Sequence, residues 1–373
     1  MKGKIIFDLV IIGTLSLFIN CSNTKVSKVK NVEFNGTDNI SLLSCVSEIS
    51  ICPLETSKKC LIGDNPDLRV MDKDYYIIDT YGSKTIYRFN NEGTFLNKIG
   101  TVGRGENEYS SMSSVYIHND SIVLFSGDKK VYSYHKNGEI RKVKSIDYNT
   151  GASIVTTDGL WCYLGYNNGS CDERLVRTNP DYLIKDKYLP LKTKAIHLSD
   201  ANNFYNSNEN VFLKESFLNT IYKLSGNKFS PHIVFNFKEL GVPKKYFQFE
   251  DPFEAFGFLN KKGFISIYRY MEEGITSFVE LREQTVDGIS TILGVSRNDV
   301  WKWFDITKFN NDLFTGVFQN IDTKGNIVGI ISADKLLSLY SSNPKLFKEH
   351  SLIEKLKEED NPFVIKIKLR EDL

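Results

Sequence analysis

Three glycines around one arginine, followed by two glutamates, make GTVGRGENEY (100–109) the stretch of this chain that looks most built for chemistry. A glycine-rich loop can lay its backbone N–H groups around a phosphate. The nucleotide form of that loop ends in Lys and then Ser or Thr, which reach the phosphates and hold Mg2+. Here Glu106 and Asn107 stand in those places, and a carboxylate repels phosphate. The dinucleotide form needs a helix directly after G-x-G-x-x-G. GTVGRG reverses that spacing and runs on into YSSMSS and a strand-like VYI. Neither nucleotide chemistry is supported.

Other reactive types are scattered. His118, His135, His197, His232 and His350 form no H-x-H or H-x-x-x-H pair. No G-x-S-x-G elbow occurs, which excludes an α/β-hydrolase. Besides Cys21 there are five cysteines, an odd number that argues against a full disulfide framework. Cys45, Cys52 and Cys60 are spaced by seven and eight residues, which fits no zinc pattern. Buried free thiols are the expected state. Cys162 and Cys171 are the exception, because a turn around Asn167-Asn168 would bring their Cα atoms to the roughly 5.5 Å a bridge needs. Trp161, Trp301 and Trp303 could stack on sugars, but WKWF (301–304) reads equally as a strand packing both faces, and core is favoured. EDPFEAFGF (250–258) is acidic and aromatic and reads as an insertion over a mouth.

The elements that must position these residues show in a repeat. DYYIIDTYGSKTIYRFNNEGTF (74–95) aligns without a gap on NDSIVLFSGDKKVYSYHKNGEI (119–140), at an offset of 45. Gly82 meets Gly127, Lys84 meets Lys129, Tyr87 meets Tyr132 and Gly93 meets Gly138. TIYKL (220–224) repeats TIYRF (85–89) three periods on. The first unit predicts strands at 68–72, 75–79, 85–90 and 94–99, with turn glycines supplying positive φ. Four short strands per ~45 residues mark a propeller blade. Units start near residues 65, 112, 152, 203, 263 and 313, which gives six blades. The expectation is therefore an all-β, six-bladed β-propeller of four-stranded antiparallel blades, with a short helical insertion near the C-terminus at ADKLLSLY (333–340) and 344–359. FVIKIKL (363–369) and a strand from CVSEISICPL (45–54) should close the ring together.

In that architecture the glycine loop is a connector from the rim of one blade to the axis of the next. Its glycines let it lie flat, and Arg104 and Glu108 would tie it to a neighbouring blade. The same face carries the second-to-third-strand turns, so Arg104, Glu106, Glu108 and Tyr81 are the ligand-contact candidates.

Ahead of the repeats, Lys2 and Lys4 precede an apolar run from Leu9 to Ile19 and then Cys21. The run is too short to span a bilayer and reads as a secretory signal of lipoprotein type. The domain expectation is a signal at 1–20, a polar tether at 21–40 and the propeller at 41–373, with Cys21 lipidated. Residues 22–30 hold no Asp or Glu, which favours a periplasm-facing anchor in the cell envelope. A net charge of +1 without a basic block excludes a nucleic-acid partner.

In order along the chain, PLETS (53–57), LIG (61–63), IYRFNNEGTFLNKIG (86–100), GRGENEY (103–109) and EEDNPFVIKIKL (358–369) resemble the six-bladed β-propeller lipoproteins of Bacteroidetes. The blade pattern is also similar to the NHL repeat. The resemblance spans nearly the whole chain after residue 40, with Glu106-Asn107 standing where the family often has Pro-Gly. It implies a fold and a lipid anchor but no activity. The functional expectation is a membrane-anchored, non-enzymatic propeller that binds a ligand or protein at one face, without a cofactor. The enzyme readings are a calcium-dependent lactonase type, which would need axial Ca2+, or a carbohydrate-active lyase or hydrolase with paired carboxylates. Both require acids from several blades converging on one point.

Overall fold

The computed structural model describes residues 29–166, 171–191, 202–207, 210–308, 314 and 316–371. Blade 1 is built from Asp67–Met71, Asp74–Asp79, Thr85–Phe89 and Phe95–Ile99, within a residue of the four strands the repeat predicts. Five further antiparallel sheets follow, with innermost strands Ser114–His118, Ala152–Thr156, Phe204–Asn206, Phe264–Glu273 and Asn320–Ile321. Each innermost strand touches the next, and the sixth touches the first, so the described blades form a closed six-membered ring. The sixth blade is completed as expected. Phe363–Leu369 pairs on one side with Ile327–Ile331 and on the other with Val46–Pro53, so both chain ends share one sheet.

A blade is covered on both faces by its neighbours, which explains strands such as Ile122-Val123-Leu124-Phe125 that bury every side chain. One set of alternate residues packs towards blade 1, with Tyr76, Ile78, Ile86 and Tyr109 meeting Ile122, Leu124 and Tyr132. The other set packs towards blade 3, where Val123 and Phe125 meet Leu160, Cys162 and Val176. The core is thus a circle of inter-blade layers around the axis.

Helices are confined to connections. Helix α1 (Pro252–Lys262) lies in the insertion between blades 4 and 5, with Asp251 accepting from the Phe253 N–H at 2.8 Å and Gly263 at φ +68° ending it. Helix α2 (Ala333–Ser342) and the short α3 (His350–Ile353) interrupt blade 6 where helical spacing predicts them, although 344–359 forms much less helix than its periodicity suggests.

Three expectations are corrected. The tether does not extend to residue 40: Lys30–Glu33 forms a fifth strand, parallel to Lys228–Asn236 of blade 4, because Val32 and Phe34 are apolar enough to be buried. The glycines of the second-to-third-strand turns do not supply positive φ. That conformation falls on Lys84 and Lys129, at 52° and 58°. The expected Cys162–Cys171 bridge does not form, because strand register sets Cys162 opposite Val176 and not opposite Cys171. The turn expected between them, residues 167–170, lies outside the described residues, as do Cys21 and His197.

Candidate functional site in the axial channel

The six innermost strands enclose a cavity of about 680 Å3 that takes lining residues from every blade. Alternation along Asp67–Met71 turns Asp67 and Arg69 towards this channel while Leu68, fully buried, packs between blades. Two blades back around the ring, Arg269, 7% exposed, lines the same space from blade 5. The guanidinium of Arg269 donates to the Phe318 carbonyl and, at 3.3 Å, to Asn202 Oδ1. Its Nη2 stands 3.8 Å from Asp67 Oδ1. The Arg69 side chain makes one hydrogen bond to the described residues, from Nη1 to its neighbour's carbonyl at Leu68, at 3.1 Å. Burial lowers the pKa of Arg69, Asp67 offsets this in part, and Arg269 adds to it by repulsion.

The wall between these charges is polar and largely satisfied. Gln319 clasps blade 6 to blade 1 by accepting from Leu68 N at 2.5 Å and donating to the Pro66 carbonyl at 3.1 Å. Asn320 Nδ2 donates to the Leu68 carbonyl at 3.1 Å. Ser114 and Ser153 share a hydrogen bond of 2.8 Å across blades 2 and 3. Behind Arg269, Glu280 is 2% exposed, and neither carboxylate oxygen accepts a hydrogen bond from the described residues. Burial pushes its pKa up against the pull of Arg269 and Arg282, the latter 3.6 Å away.

The sequence-derived candidates separate here. Tyr81 lines the upper mouth of the channel and is 82% exposed. Arg104, Glu106 and Glu108 do not line it. The loop is held by other residues than the expected arginine. Glu108 Oε2 accepts from the Gly105 N–H at 2.8 Å, and Tyr132 Oη donates to the Glu108 carbonyl at 2.7 Å. Tyr109, fully buried, donates to the Lys84 carbonyl at 2.7 Å. Arg104 is exposed and has no ion pair or hydrogen bond among the described residues. Its expected role as the pin fails because a buried tyrosine fixes the path at lower desolvation cost than a guanidinium.

Trp161 and Trp303 are core residues, as expected; Trp301 stacks on Trp303 at 5.4 Å and is half-buried. Those two indoles edge a second hollow of about 840 Å3, at the rim beside Lys30–Asp38 and away from the axis. His118 sits at the lower end of the channel, stacked on Tyr116. Among the described residues no three His, Cys, Asp or Glu side chains gather as a metal site would require. Asp67, Arg69 and Arg269 are the functional candidates that motif reading missed. The signal available was their place on innermost strands, since a charged residue there must face either an apolar layer or the channel.

The family model described as a domain of unknown function, DUF4934, matches residues 25–368. A structure of an exported-protein candidate from Bacteroides fragilis NCTC 9343 is similar, with TM-score 0.75 and 20% identity over 92% of this chain and 100% of that one. A protein of unknown function from Bacteroides caccae aligns with TM-score 0.37 and 8% identity, covering 66% and 85% of the two chains. BamB from Moraxella catarrhalis aligns with TM-score 0.36 and 8% identity, covering 68% and 77%. No curated protein matches the chain.

Proposed function

This chain belongs to the DUF4934 family, a domain of unknown function, and from that premise we propose that it is a cell-envelope binding protein that takes a ligand in the axial channel of its propeller. The observation that carries this reading is the convergence of polar side chains from all six innermost strands on one cavity. At about 680 Å3 it falls in the range of small-molecule sites. The charged groups there favour binding over the enzyme readings. Glycosidic chemistry needs two carboxyl groups on opposite sides of a bond, whereas the carboxylates lining the channel, Asp67 and Asp72, both come from blade 1, and Asp67 stands 3.8 Å from Arg269. Arg69 and Arg269 repel a dication, which weighs against axial Ca2+.

Export and anchoring rest on Lys2, Lys4, the Leu9–Ile19 run and Cys21. In this reading a lipid on Cys21 holds the protein to a membrane, facing the periplasm, and Tyr81 marks the ligand's entrance. Cys21→Ala should move the protein from the membrane to the soluble fraction in a native-type host. The binding reading is tested by native mass spectrometry of protein purified gently from that host, beside Ser153→Trp, which fills the channel. A small molecule retained by the wild type and absent from Ser153→Trp is expected. The same mass retained by both would remove the channel from consideration.

A further inference from the structure

We propose that the channel's ligand carries an oxyanion, a carboxylate or a phosphate, which docks on Arg69 and displaces Asp67 as its counter-ion. The inference rests on the channel reading above and adds the chemical class of the ligand.

A guanidinium has five N–H groups in a fixed fork. Arg269 commits its fork to Phe318 and Asn202, so it is a structural cation that also faces the channel. The Arg69 guanidinium commits one N–H to the Leu68 carbonyl, and the others make no hydrogen bond to the described residues. A half-buried cation this poorly satisfied, beside a second arginine, is costly to keep. The fold does not require it, since Leu68 and not Arg69 fills the inter-blade layer.

Asp67 stands beside Arg269 and acts on Arg69 as its counter-charge, and it is loosely held. Its carboxylate accepts no hydrogen bond from the described residues, its one ion pair is the 3.8 Å approach of Arg269, and its side chain is 35% exposed. A counter-ion at that distance neutralises charge without occupying either fork. An incoming oxyanion can make the two parallel N–H···O bonds that Asp67 does not. The groups behind the wall keep the same sign, because Arg269, Arg282 and Lys214 all act on the single buried carboxyl of Glu280.

The test uses the full chain with two probes, citrate and inorganic phosphate, at constant ionic strength against sodium chloride. Binding is read by calorimetry and by the thermal midpoint. Wild type should bind at least one probe, and Arg69→Gln should weaken that binding about tenfold or more. Asp67→Asn should strengthen it about fivefold, since the internal competitor is gone. Citrate alone responding marks a carboxylate ligand, and phosphate alone marks a phosphate ester. Should Arg69→Gln fold poorly, Asp67→Asn decides by itself. Weaker or unchanged binding in Asp67→Asn overturns the proposal, as does wild-type affinity in Arg69→Gln. A neutral molecule lost from Ser153→Trp, with both anions indifferent to Arg69, would keep the channel as a binding site and reject the oxyanion. Retention indifferent to Ser153→Trp would reject both.

Discussion

Asp79 shows why a residue's neighbours and not its type decide its state. The residue is wholly buried, which by itself would raise the pKa of its carboxyl. Against that, Oδ1 accepts from Gly82 N at 2.9 Å, while Oδ2 accepts from Ser83 N at 2.8 Å and Gly63 N at 3.0 Å. The donors win, and the pKa lies below its ordinary value. Gly82 is glycine for this contact, because a Cβ there would stand 2.7 Å from Asp79 Oδ1. Asp79→Asn leaves one of the N–H groups facing an amide NH2 and should cost about 2 kcal/mol at neutral pH. Because the folded pKa is depressed, this stability is complete above the ordinary aspartate value of 3.8 and is lost as pH falls through the lower folded value. Urea melts of both proteins should therefore show a gap that narrows on acidification; a gap that widens would mean the carboxylate is not the stabilising form. The glycine loop gives a second contrast. Arg104→Ala should leave the melt within about 0.5 kcal/mol of wild type, while Tyr109→Phe, which orphans the Lys84 carbonyl, should cost about 1 kcal/mol.

At the scale of elements, the closing blade explains the strings that carry the family resemblance. Asn361, 4% exposed, donates from Nδ2 to the carbonyls of Glu55 at 2.7 Å and Cys60 at 2.6 Å, and Oδ1 accepts from Ile62 N at 3.0 Å. Its own N–H donates to Thr56 Oγ1 at 2.8 Å. PLETS, LIG and EEDNPF are thus one clasp that ties the C-terminal strand to the segment after the N-terminal one. Asn361→Ala should cost about 3 kcal/mol, since three backbone groups lose their partner. An unchanged thermal midpoint would show that water replaces the amide. The repeat was legible where strands keep one length, and blades 1 and 2 align without a gap for that reason. It faded where blade 5 stretches three strands to ten residues each and an insertion precedes it. Helix α1 carried its signals openly, with Asp251 as N-cap, Pro252 at the first turn and Gly263 after the last. From sequence, 250–258 reads only as an acidic, aromatic insertion, with no helix assigned to it.

The whole molecule adds what no local reading holds. Arg69 and Arg269 are two hundred residues apart in sequence and meet only because the ring closes, so the channel's charge could not be read from spacing. The N-terminal segment was misread for a related reason. VKNVEFNGTDN is polar enough to pass for a tether, and Val32 and Phe34 find their buried places only once blades 4 and 5 stand side by side. There, Lys30 pairs with Asp299 at 2.6 Å, and Phe34, 4% exposed, wedges between Phe237 and Trp303 at centroid distances of 6.1 and 5.0 Å. Asp38 ends the strap by donating its N–H to the Trp303 carbonyl at 2.7 Å and accepting the Trp303 N–H at 2.8 Å. The segment therefore crosses from the outer edge of blade 4 to the outer edge of blade 5, covering both open edges. Phe34→Ala should cost about 3 kcal/mol from lost burial and the cavity left behind. Removing residues 1–38 should cost more, because the Trp303 backbone then loses both partners. Tryptophan fluorescence during a denaturant melt is the natural readout, with Trp303 under the strap as reporter. If the truncated chain melts with the wild-type midpoint, the strap merely rests on the ring, and the boundary of the stable domain returns to residue 41.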